Sequence, residues 1–269
     1  MKQLVNKINR YLKLYFRFFK ISVMEIAMYR LNSLFFGLAS IVWLATTLLF
    51  ISVIFKGRTE IAGWTVWEVT LLLGIHEIVF LFAWVFFVDN LKNFMYSVRI
   101  GSFDKTLLKP VNHRFLVSFG KLDFSSISDV FSLIIIFFVA FSHLTIKVDF
   151  WQGFIFFVSI LSSFVIAYFL YFIISSLCLF ITSAENYTDW LIEATDFDHY
   201  PAEIYGNKLK FFLLFGLPIL YFAYVPTAIL LNKLPTYYVL FGLILILVLY
   251  FISKIIWKAG LKNYQSVSS

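Results

Sequence analysis

Residues 150–184 read FWQGFIFFVSILSSFVIAYFLYFIISSLCLFITSA, a run without Asp, Glu, Lys or Arg bounded by Asp149 and Glu185. That continuity identifies the solvent. A helix in water keeps a polar face, and a barrel strand alternates inward and outward residues, so a run apolar on every side reads as helix in lipid. Further uncharged runs lie between Arg30 and Lys56, Lys210 and Lys233, and Lys233 and Lys254. Of the 269 residues 61% are hydrophobic, 21% aromatic and only 14% charged, with a mean hydropathy of +0.89. A soluble domain needs more polar surface than this. At about 20 residues per crossing, the length accommodates about six crossings and modest loops.

The spacing predicts an all-α integral membrane protein with six transmembrane helices. Spans are expected at about 34–55, 69–88, 130–146, from 150 onward, within 205–231, and at 237–256. The fourth run is too long for one upright crossing and too short for two with a turn, so a tilted or broken helix is expected there, with Ser162, Ser163, Ser175 and Ser176 as places for a bend. In the fifth, Pro218 and Pro226 remove backbone donors. A shorter crossing followed by an outer re-entrant element, before the sixth span, is expected.

Residues 1–30 are basic up to Arg30 and lack a cleavable signal pattern. At about 100° per residue, Lys2, Lys7, Arg10, Lys13, Arg17 and Lys20 share one sector, as in an interfacial amphipathic helix facing anionic lipid. Residues 31–257 form the six-span domain, with a loop at 98–114, and 258–269 a cytoplasmic tail. With the N-terminus inside, segments 1–30, 89–127, 183–210 and 252–269 hold 18 of the 22 Lys and Arg, which puts both termini in the cytoplasm. The same lipid-facing charge explains the pI near 9.3 without nucleic acid. The single Cys178 excludes a disulfide within the chain.

No G-x-x-x-x-G-K-[ST] phosphate loop, H-E-x-x-H or G-x-S-x-G occurs, so the chain does not hydrolyse ATP itself and no catalytic residue or metal is assigned. Asp196, Asp198 and His199 read as a solvated acidic turn before the fifth helix. His76 and Glu77 fall inside the second span, where ionisable groups cost a few kcal/mol and need protein or water around them. Glu77 is either part of a polar substrate path or proton-sensitive hinge, or an interhelical hydrogen bond. In the loop, Gly101 breaks the preceding helix, Ser102 can cap a new one, Asp104 favours its dipole, and Lys109 with Pro110 stops it. The result is a helix of about two turns with Phe103 and Leu107 on one side: a docking element for another protein, or a loop lying on the membrane surface.

The run Gly101-Ser-Phe-Asp-Lys-Thr-Leu-Leu-Lys-Pro-Val-Asn112 resembles a branch of bacterial type-2 ABC exporter permeases. Tyr200-Pro-Ala-Glu-Ile-Tyr-Gly206, Leu217-Pro218 and Tyr224-Val-Pro-Thr-Ala228 resemble the same branch, with a departure at Asp196-Phe-Asp-His199. The likeness covers nearly the whole chain. It implies a permease in the bacterial cytoplasmic membrane that pairs with a second permease, identical or homologous, and with two ATP-binding cassette subunits that bind ATP and Mg. It further implies a cytoplasmic coupling helix with Phe103, Asp104, Leu107 and Leu108 as ATPase-docking residues, and Pro218 and Pro226 shaping the outer element. Competing readings are an ion-gradient transporter or channel using Glu77, which would need several intramembrane ionisable groups, and an intramembrane enzyme. Dispersed histidines argue against the enzyme.

Overall fold

A computed structural model describes residues 11, 13–24, 30–124, 129–181 and 185–264. Residues 13–24 are helical (α1); the remainder of the N-terminal amphipathic segment lies outside the described residues, apart from Tyr11. Helix α2, Arg30–Ile54, leads to a hairpin of β1, Glu60–Ile61, and β2, Trp64–Thr65. Helix α3, Val66–Ala83, passes through a π-helical turn, Trp84–Val88, into α4, Asp89–Arg99. The three pieces form one apolar rod of 34 residues, about 50 Å long at 1.5 Å per residue. Thr65 starts it with a reciprocal cap: its hydroxyl accepts from Glu68 N, and Glu68 Oε2 accepts from Thr65 N at 2.7 Å.

A π turn widens the helix and leaves carbonyls unpaired. Here Val85 O accepts from Asp123 N at 3.0 Å, and Phe86 O from Asn90 Nδ2 at 3.2 Å. Asn90 also grips both backbone groups of Lys121, at 2.6 and 2.9 Å, so the turn is fastened to the segment that returns from the loop. That loop carries α5, Asp104–Leu107, and α6, His113–Phe119.

Helix α7, Asp129–His143, packs on α3, closely at Gly74: a Cβ there would stand 2.9 Å from Ile136 Cγ2. Helix α8, Phe150–Ser176, is capped by Asp149, whose carboxylate accepts from Gln152 N at 2.7 Å. It is unbroken, which corrects the expected bend at the serines. Ser162, Ser163 and Ser176 return their hydroxyls to carbonyls four residues earlier, so the helix needs no break to satisfy them. At 27 residues, about 40 Å, it exceeds an upright crossing. A single 3₁₀ turn, Leu177–Leu179, ends it.

The course of the next segment differs most from expectation. Helix α9, Glu185–Ala194, and 3₁₀ turns at Thr195–His199 and Ala202–Ile204 do not stay at one end. Asp189 pairs with Lys92 at 2.9 Å near the loop end of the rod, Asp198 faces His76 midway, and Glu203 accepts from Trp64 Nε1 at 3.0 Å beside the hairpin. The segment therefore climbs the rod. The expectation that residues 183–210 form an inner segment, and that 205–231 crosses, is corrected: Lys210 bonds Glu203 and Tyr224 at the hairpin end. Hydropathy missed this because the climb is broken into short pieces bearing acids that are paired inward or reach solvent.

Helix α10, Asn207–Phe211, and a π turn, Phe212–Gly216, enter the protein from the hairpin end; Pro218 opens a 3₁₀ turn at Ile219–Tyr221, and α11, Tyr224–Leu230, returns. Leu230 O accepts from Gln152 Nε2 near the start of α8 at 2.8 Å, and Ser163 donates to Tyr221 O deeper down. Pro226 sits in the first turn of α11, where its missing N–H is not needed. Helix α12, Tyr237–Asn263, lies along α8 and runs past the expected boundary at 256. Among the described residues four helices are long and apolar enough to cross a membrane, and α7 is a shorter apolar helix. The protein is a multi-pass all-α membrane protein.

Candidate functional site

Two places gather the residues singled out in the sequence. One is the loop end of the rod. Gly101, at φ +72°, turns the chain in a conformation side chains resist, and Phe103 N then bonds back to Ser97 O at 3.1 Å. Phe103 is fully buried. Its ring meets Phe94 at 5.1 Å, Tyr264 at 5.3 Å and Trp257 at 6.5 Å between centroids, and Trp257 meets Phe172 on α8 at 5.3 Å. The expected exposed docking ring is corrected: Phe103 anchors the loop to α4 and α12. The expected two-turn helix is a single turn, Asp104–Leu107. Ser102 donates to Ser97 O instead of capping that turn. Asp104 is half-buried and Leu107 packs inward, while Leu108 is 85% exposed. Arg114 in α6 donates to Ser253 Oγ at 3.0 Å and lies over the Phe172 ring. Tyr11 accepts from Asn112 N, and Ser22 in α1 accepts from Leu122 N at 3.1 Å. The loop is thus an anchored platform on which Leu108 is the most exposed apolar side chain, with Ile100 also at the surface.

The second place is a cavity of about 460 Å³ between α2, α3, α7 and the climbing segment, lined by His76, Glu77, Asp129, Asp196 and His199 among others. It adjoins one of about 340 Å³ that shares Trp43, Asp196 and His199 and extends toward Pro201 and Ile204. His76 is buried, with Nδ1 3.5 Å from Asp198 Oδ2, and its ring stands edge-to-face on His199 at 4.2 Å. His199 Nδ1 lies 3.7 Å from Asp196 Oδ1. The solvated-turn reading of Asp198 is corrected, since Asp198 is fully buried and its Oδ1 accepts from Tyr224 N at 3.0 Å, holding the start of α11. Glu77 has no hydrogen-bond partner among the described residues. Sequence reasoning missed the convergence of positions 76 and 198, which 122 residues separate. A usable signal was two acids and a histidine at Asp196-Phe-Asp-His199 alongside an intramembrane His-Glu pair.

Pro218 and Pro226 lie in the element between the cavity and the hairpin end. That end is closed by two ion pairs: Lys233 reaches Glu68 at 2.9 Å, and Lys210 reaches Glu203 at 3.0 Å. Glu203 also accepts from the Tyr224 hydroxyl. Burial alone would raise the Glu203 carboxyl, but hydrogen bonds from Tyr224 and Lys210 outweigh it and hold the group below its ordinary range. A depressed carboxyl adds stability above its unfolded pKa and loses it as pH falls through the folded value. Glu203→Gln should therefore flatten the acid limb of melting temperature against pH, and a limb unchanged from wild type would contradict the clamp.

The family model for ABC-2 family transporter proteins matches residues 41–268. No curated protein and no solved structure matches the chain.

Proposed function

The chain belongs to the ABC-2 family of transporter proteins, and on that premise we propose that it is the permease subunit of an ATP-driven exporter. It moves a substrate outward across the bacterial cytoplasmic membrane when coupled to a separate ATPase. The observation that carries this reading is the rod Val66–Arg99, which joins the loop around α5 to the polar cavity in one stiff piece. Two ATP-binding cassette subunits, which hold ATP and Mg, seat on the loop through Leu108, with Asp104 and Lys105 beside it; Phe103 and Leu107 brace the contact from within. A second permease copy or homologue completes the path.

Six crossings follow if the climb of residues 185–200 counts as the fifth and 207–231 as re-entrant. Lys208 and Lys210 then move outside. The inner segments still hold 16 of the 22 basic residues, so both termini remain cytoplasmic. Co-reconstitution with the ATPase in liposomes tests the function: the pair should move substrate on ATP, and neither alone should. Glu77→Gln should slow ATP-driven transport about tenfold without changing subunit association. Unchanged transport would remove Glu77 from the path.

The gathering of His76, Glu77, Asp196, Asp198 and His199 favours one second reading, transport driven by an ion gradient. Transport by the chain without any nucleotide-hydrolysing partner would establish it instead.

A further inference from the structure

The cavity holds a donor set of which the export reading uses only Glu77. We propose that His76, Glu77 and His199 bind a divalent transition-metal ion between α3 and the segment 195–200 that climbs beside it. One ligand atom from each lies within 4.8 Å of the other two, a spacing that a small closure brings around an ion with bonds of about 2.0–2.2 Å. Two imidazoles with one carboxylate suit zinc, cobalt, nickel or iron over calcium or magnesium.

Three further observations point to a ligand. Each imidazole has a carboxylate behind it, Asp198 at 3.5 Å from His76 Nδ1 and Asp196 at 3.7 Å from His199 Nδ1, the outer arrangement that orients metal-binding histidines. Nε2 of His199 is buried without a hydrogen-bond partner among the described residues, and a buried orphan of that kind calls for one. Among the described residues the cavity lining includes Glu77, Asp129 and Asp196 and neither Lys nor Arg, so it favours a cation over an anion. Entry is provided by the adjoining cavity, beside which the Asp196 side chain is 71% exposed. A bound ion would tie α3 to the climbing segment and hold the cavity shut.

The test needs no ATPase and no substrate, so its outcome is independent of the export reading. The full-length protein in lipid nanodiscs, stripped with a chelator, is titrated with Co²⁺ and followed by visible absorption, then with Zn²⁺ by equilibrium dialysis. The expectation is one ion per chain, d–d bands of a nitrogen and oxygen site, and displacement of Co²⁺ by Zn²⁺. His199→Ala should weaken binding at least about 100-fold, and Asp196→Asn, which removes only an orienting group, about tenfold; His143→Ala should leave it unchanged. Absence of stoichiometric Co²⁺ and Zn²⁺ binding by the wild-type protein would overturn the proposal, as would an unchanged affinity in His199→Ala.

Discussion

Phe103→Ala should lower the stability of the protein by about 3–5 kcal/mol, the usual cost of emptying a phenylalanine site in a packed core. The ring is fully buried, between α4 on one side and Trp257 and Tyr264 on the other. Removing it opens a cavity where three aromatic rings converge, and edge-to-face contacts worth about 0.5–1.5 kcal/mol each are lost with the buried area. The loop would then detach from α12, and Lys105 should become more reactive to amine labelling. Phe103→Leu, which refills most of the volume, should recover most of the loss. The readouts are the detergent-solubilised melting transition and labelling at Lys105. A melting temperature within error of wild type would show that the ring is not the anchor.

Leu108→Asp should do the opposite: leave folding alone and abolish function. At 85% exposure the side chain contributes little to the fold, and surface changes of this kind cost within about 0.5 kcal/mol. A central apolar anchor in a protein interface is worth about 2 kcal/mol or more, so association with the ATPase should fall about 30-fold or more, and ATP-driven transport with it. Pull-down and transport are measured together with the melting temperature, so a folding defect cannot be mistaken for a docking defect. Full association with full transport would remove Leu108 from the interface. The two substitutions divide the loop, Phe103 serving its attachment and Leu108 its contact.

Much of this architecture was legible along the chain. Uncharged runs placed α2, α8 and α12, the Gly101 break placed the loop, and Pro218 and Pro226 marked an irregular element. The reading failed where residue type and environment part company. Phe103 stands beside Asp104 and Lys105 and so looked exposed, but Trp257 and Tyr264, contributed by the far end of the chain, cover it. Asp198 stands in an acidic run and so looked solvated, but His76 and the Tyr224 N–H enclose it. The serines of α8 looked like breaks, but the hydroxyls of Ser162, Ser163 and Ser176 close on their own helix.

From the sequence alone followed the solvent of the protein, its helical class, the absence of an ATP-hydrolysing motif and the position of the loop. These rest on local quantities: apolar run length, charge spacing, glycine and proline. Only the tertiary structure decided that residues 185–204 climb along the rod Val66–Arg99, that 207–231 enters and leaves at one end, and that the histidines at 76 and 199 meet. Each depends on pairing between distant segments, and a short polar segment can lie deep in the protein only when groups far away in the chain satisfy it.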